Sequence, residues 1–152
     1  MPRSILRAQE EVSAPRHFAP PAFWPILSIP VIAEPLQNTR AAEAMYRVAA
    51  ELRSRYDGQE ILASAMANDA LIFHLGLPLR KVIYEGNKPY WTESLEHPAR
   101  YAAWVLVNTG GSGDQVYLTL RSNPEFTSMF DLVYEDGDYR LYRNRLPVQP
   151  IP

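Results

Sequence analysis

Proline placement constrains this chain more than any other feature. Seven of its 14 prolines fall in the first 35 residues (Pro2, Pro15, Pro20, Pro21, Pro25, Pro30 and Pro35) and three in the last six, which leaves four for the middle. Proline fixes φ, lacks an amide hydrogen and drives the preceding residue toward extended backbone. Residues 1–34 are therefore expected to form an extended, irregular connecting arm and residues 147–152 a tail, with a single α/β domain over 35–146. At 152 residues the chain is long enough to bury a core without a disulfide or metal staple.

The arm is unusual for a leader segment. His17 to Ala33 contains no Asp, Glu, Lys or Arg, yet carries Phe18, Phe23, Trp24, Ile26, Leu27, Ile29, Val31 and Ile32. Pro20, Pro21, Pro25 and Pro30 forbid a continuous spanning helix, and no uninterrupted apolar stretch precedes a cleavage site. Two compatible readings follow. The arm lies across the domain's own apolar surface, or it is a juxtamembrane segment with Phe18, Phe23 and Trp24 near a bilayer interface, where amphipathic aromatics are favoured.

Charge narrows the partners. Fifteen basic residues against 17 acidic ones give a net charge of -2, without the basic surplus of a general nucleic-acid binder. Zero cysteines exclude disulfides, thiolate metal sites and cysteine nucleophiles.

Between the two ends, helical and strand patterns alternate. From Leu36 to Tyr56, Ala41, Met45, Val48, Ala49, Leu52 and Tyr56 recur at helical spacing, and Asp57-Gly58 closes the element. Glu60–Ser64 reads as a strand. Asn68 or Asp69 caps a short helix through Phe73, and Arg80–Glu85 is a second strand. Asn87 to about Leu95 is a helix, and Tyr101–Asn108 an uncharged run suited to a strand buried on both faces. A Gly110-Gly111-Ser112-Gly113 loop leads into a helix from near Asp114, stopping before Asn123-Pro124. Phe130–Glu135 and Tyr139–Arg143 flank Asp136-Gly137, a strong hairpin signal. The predicted architecture is three-layer α/β: a mainly parallel sheet with helices on both faces and a C-terminal antiparallel hairpin.

Candidate chemistry is sparse. His17, His74 and His97 fit no metal-ligand spacing, and no metal or cofactor site is expected. The Gly110–Asp114 loop lacks the last glycine of a nucleophile elbow and the Lys of a phosphate loop. Its backbone amides at a helix start could still hold an anion, or Ser112 or Asp114 could simply cap the helix. In a parallel sheet, binding groups collect beyond the carboxyl ends of the strands. Those ends offer Asn68 and Asp69, then Glu85 and Asn87 with an exposed Trp91, then Asn108 and Thr109. Carboxylates, amides and an indole suit a sugar or another polyhydroxyl ligand, although the same residue types cap helices and fill loops. Glu34, Asn38 and Arg40 form a second polar group at the start of the first helix.

Several segments together resemble the C-terminal soluble part of polytopic bacterial GT-C glycosyltransferases, similar to the dolichyl- or polyprenyl-phosphate-mannose protein mannosyltransferases. The matching residues are the run from Pro30 to Arg40 (PVIAEPLQNTR), Glu60–Ser64, Lys81–Asn87 with Trp91, Pro98–Val107, and Phe130–Tyr134 through Tyr139–Arg143. Pro35 stands where the pattern has alanine. The resemblance implies a non-catalytic extracytoplasmic domain on the periplasmic or outer face of the bacterial cytoplasmic membrane. Its partners would be the membrane-embedded part of the parent transferase and a sugar or acceptor, with no nucleic acid. The family's catalytic acids belong to a loop near the start of the membrane region, so the resemblance carries no catalytic residue onto this segment, and no turnover is expected from it alone. Two alternatives remain: a protein-interaction module using the Phe18–Ile32 arm, and a free-standing doubly wound domain binding a nucleotide or anion at Gly110–Asp114.

Overall fold

The computed structural model describes residues 30–111 and 113–148, with side chains from Thr39 onward. The predicted arm before Pro30, the end of the tail, Ser112, and the side chains of Glu34 and Asn38 lie outside the described residues. The elements in order are α1 (Pro30–Arg55), β1 (Ile61–Ala63), α2 (Ala65–Leu75), β2 (Val82–Ile83), α3 (Tyr90–Glu96), α4 (Pro98–Tyr101), β3 (Trp104–Asn108), α5 (Gln115–Leu120), α6 (Pro124–Met129), β4 (Phe130–Asp136) and β5 (Tyr139–Asn144).

The first helix starts at Pro30, so residues 30–34 are helical and not part of an extended arm. Proline is tolerated at the first helical position because that amide has no intrahelical acceptor. Pro35, one turn further in, forgoes a single backbone hydrogen bond without ending the element. Val48, Ala49 and Leu52 of the expected stripe are buried, with Met45 and Tyr56 partly buried against them, whereas Ala41 is exposed and Ala44, absent from the expected stripe, takes the buried position one turn before Val48.

The sheet has five strands in the order β2-β1-β3-β5-β4. β1 pairs in parallel with β2 and β3, whereas β5 runs antiparallel to both β3 and β4. This corrects the expectation of a mainly parallel sheet. The parallel strands are short, with two residues in β2 and three in β1. The hairpin strands are longer, at seven and six residues, and β5 lies along all five residues of β3. Antiparallel pairing therefore holds most of the ladder, and the hairpin is an integral half of the sheet.

Successive residues along a strand face opposite ways, and the core divides accordingly. Ile61, Ala63, Trp104 and Leu106 pack with Leu52 of α1 and with Leu71 and Leu75 of α2. Leu62, Val105 and Val107 pack with Trp91 of α3, Val116 and Leu120 of α5, and Phe126 of α6. Helices thus cover both faces, as the uncharged β3 run predicted.

The hairpin register sets the turn. Asp136 pairs with Tyr139, so the two-residue loop is Gly137-Asp138, with Gly137 at φ +55. A positive φ at the first loop position is the requirement of a II′ turn, which glycine meets without strain. The α6 helix was not anticipated. Asn123 caps it, accepting from the amides of Glu125 (2.9 Å) and Phe126 (3.1 Å), and Pro124 occupies its first turn.

Candidate functional site at the carboxyl edge of the sheet

The connection after β1 runs to α2 on one face of the sheet, and the connection after β3 runs to α5 on the other. Such divergence opens a crevice beyond the carboxyl ends of the two neighbouring strands, where ligands of open α/β sheets bind. Here the crevice region holds a polar network.

Its centre is Asp114, fully buried at the start of α5. The carboxylate accepts from the amide of Tyr117 (2.9 Å), the amide of Asn108 (2.7 Å) and Nδ2 of Asn68 (3.1 Å). Asn68, 2% exposed, also donates Nδ2 to the Ser64 carbonyl at 3.1 Å. The backbone at Asn68 is non-helical (φ -134, ψ 22), so α2 is kinked there, and its cap position is Ser64 where the sequence suggested Asn68 or Asp69. Its Oδ1 is buried without a hydrogen-bond partner among the described residues.

Glu85 anchors the start of α2 from the next strand. One carboxylate oxygen accepts from the Ser64 hydroxyl and the other from the Ala65 amide at 2.9 Å. Burial pushes its carboxyl up, but the Ser64 hydroxyl and the backbone amides at the helix start outweigh burial and hold it below its ordinary value.

The predicted site residues therefore separate. Asn68, Glu85 and Asn108 join one chain of contacts through Ser64 and Asp114. Asp69 stays exposed, its carboxylate accepting from the Ala70 amide at 2.7 Å. Asn87 closes its own turn, with Oδ1 accepting from the Tyr84 amide at 3.2 Å. Trp91 is not an exposed indole: it is 9% exposed and packs in the core beneath α3. It is the second residue of α3, and its ring packs in the layer of Leu62 and Val105.

Beside this network lies an open crevice of about 690 Å³ between α1 and the β4–β5 turn. Arg40, Ala44 and Arg47 of α1 form one wall, and Asn108, Asp138 and Tyr139 the other. Arg47 makes a two-point ion pair with Asp136, chiefly through its hydrogen bonds, and this holds the Asp136 carboxyl below the usual carboxylate range. Gly137 packs on Ala44; a Cβ added there would stand 3.2 Å from the Ala44 methyl. Burial, then the nearby Asp138 and Asp69 carboxylates, raise the Tyr139 phenol, so it remains a donor at neutral pH. Of the crevice residues, only Asn108 and Arg40 were singled out in the sequence. The signal for the others was the Asp136-Gly137 turn, which brings Asp138 and Tyr139 to the edge where β3 ends.

Among the described residues no group of three or more His, Asp or Glu side chains could hold a metal ion, and no helix is long and apolar enough to cross a membrane. The class defined by this geometry is a mixed α/β domain with a buried polar network at the divergence of its β1 and β3 connections and, beside it, an open crevice between α1 and the β4–β5 turn. No family model, curated protein or solved structure matches the chain.

Proposed function

We propose that the chain is a non-catalytic extracytoplasmic domain of a polyprenyl-phosphate-sugar-dependent membrane glycosyltransferase, where it caps the membrane active site and positions the acceptor. The observation that carries this reading is the placement of the crevice. One wall belongs to α1, the same helix into which the uncharged His17–Ala33 run leads. A ligand held there sits on the element contiguous with the segment best suited to a membrane interface. The family resemblance over residues 30–143 supports the same reading.

The test is to translate the source gene upstream of Met1 and to assay the encoded protein in membranes. Several apolar stretches of about 20 residues ahead of the arm, with sugar transfer from a polyprenyl phosphate that is lost when this domain is deleted, are expected. A stop codon immediately upstream, or transfer by this chain in the absence of membranes, would sink the proposal.

A second reading, a protein-interaction module, draws on exposed apolar side chains. Met66 (84% exposed), Phe73 (89%) and Leu79 stand around α2 and the turn after it. The anion-binding alternative meets a physical obstacle at α5. Asp114 places its own carboxylate against the helix start and accepts from the Tyr117 amide, so an incoming anion would meet a like charge there.

A further inference from the structure

We propose that the crevice between α1 and the β4–β5 turn is a binding site for a neutral saccharide. This rests on the transferase reading for its biological role, and identifies the acceptor of that reading as a neutral glycan.

The argument begins with charge. The guanidinium groups of Arg40 and Arg47 face the carboxylates of Asp136 and Asp138 across one cavity, so the formal charges of the lining cancel. A balanced lining does not select an ion by long-range attraction, and recognition rests on directional hydrogen bonds. Arg47 and Asp136 are committed to each other. Arg40 and Asp138 are in no ion pair among the described residues. Both are exposed, which keeps their desolvation cost low until a ligand arrives. Asn108 uses Oδ1 to accept from the Gly110 amide (3.0 Å), and its Nδ2 donates to no described residue.

The groups without an ion-pair or side-chain donor contact among the described residues are thus a guanidinium, a carboxylate and an amide NH₂. Each is planar and can contact two adjacent atoms of a partner. Vicinal hydroxyls of a sugar ring offer pairs that both donate and accept, which a mixed donor and acceptor set matches. A phosphate or carboxylate ligand offers acceptors only and would oppose Asp138. The half-buried Tyr139 supplies apolar surface for the ring's C–H faces, whereas Ala44 is 3% exposed and lies beneath Gly137. The volume falls within the roughly 300–1,000 Å³ of small-molecule sites.

Gly110 lies against the turn, so closely that a Cβ there would stand 2.2 Å from Asp138 Oδ2. Thr109 reinforces that contact, its amide donating to the Asp138 carbonyl at 2.8 Å and its hydroxyl at 3.0 Å.

The experiment is a titration of the full chain, ¹⁵N-labelled, with mannotriose, maltotriose and inorganic phosphate. Saturable shifts confined to Arg40, Asn108 and Gly137–Tyr139 with at least one trisaccharide are expected. Asp138→Asn and Arg40→Gln should each weaken that binding about tenfold, the loss of one or two hydrogen bonds. Arg121→Gln, at a distant surface, should leave it unchanged, and dispersed spectra will show that each variant is folded. Absence of saccharide shifts at ~10 mM, a weakness below any specific site, overturns the proposal. So do shifts mapping elsewhere, or a response at the crevice to phosphate alone. Saccharide binding by a chain whose gene has no upstream membrane spans would keep the crevice and remove the transferase reading. Spans without saccharide binding would do the reverse.

Discussion

At the scale of single residues, the carboxyl edge of the sheet is dominated by two carboxylates with structural duties. Glu85 ties β2 to the start of α2 through the Ser64 hydroxyl and the Ala65 amide. Its carboxyl lies below the ordinary value of 4.5 in the folded state. The stabilisation from this group is therefore complete above the ordinary value and is lost as pH falls through the lowered one. Glu85→Gln should cost about 1–3 kcal/mol at neutral pH, the range for leaving buried partners short of an acceptor. Urea titrations at pH ~7 and pH ~3 should show the gap between variant and parent shrinking in acid; a gap that is constant with pH would mean the carboxylate charge plays no part. Asp114 has a heavier role, since its carboxylate serves three donors from three segments. Asp114→Ala leaves those donors in a buried space and should cost about 3–5 kcal/mol by denaturant unfolding. A cost under ~1 kcal/mol, ordinary for a surface site, would show that water replaces the carboxylate freely.

At the scale of elements, the hairpin turn and the glycine loop act as one unit, because Gly110 packs directly on the Asp138 side chain. Gly110→Ala cannot be accommodated unless Asp138 swings away, so it should cost about 1–3 kcal/mol, the range for overpacking. In the amide spectrum the disturbance should reach Thr109 and Tyr139; a change limited to residue 110 itself would contradict the close approach. The elements also explain what the sequence could and could not disclose. The α1 stripe, the uncharged β3 run and the Asp136-Gly137 hairpin follow from periodicity and turn chemistry, which are local. The start of α1 at Pro30 was obscured because proline signals a break everywhere except in a first turn. Asn123-Pro124 looked like a stop, yet the same pair is a cap followed by a first-turn proline, and α6 begins there. Sheet order was not legible at all. Nothing local tells β5 to pair with β3, and that pairing decides both the mixed character of the sheet and the position of Asp138 and Tyr139. The exposed indole expected at Trp91 was misjudged for a related reason: Trp91 joins the core on a face whose depth depends on α5 and α6.

At the scale of the whole molecule, β3 is the common wall of two hydrophobic layers. Leu106 packs toward α1 and α2, and Val105 and Val107 pack toward α3, α5 and α6. Damage to either layer is therefore transmitted through one strand, and the layers should unfold together in a single transition. Leu106→Ala should lower stability by about 2–5 kcal/mol, the range for a fully buried leucine. Phe73 is larger but 89% exposed, so Phe73→Ser should change stability by no more than about 0.5 kcal/mol. The comparison separates two origins of apolar character in this chain: side chains that make the fold, and side chains whose partner, if any, is not the described domain. Coincident transitions by fluorescence and circular dichroism should accompany both variants. If Phe73→Ser instead cost as much as Leu106→Ala, Phe73 would be covered in solution by another part of the chain or by a second copy. Concentration dependence of the midpoint would then tell the two apart, since only self-association responds to protein concentration.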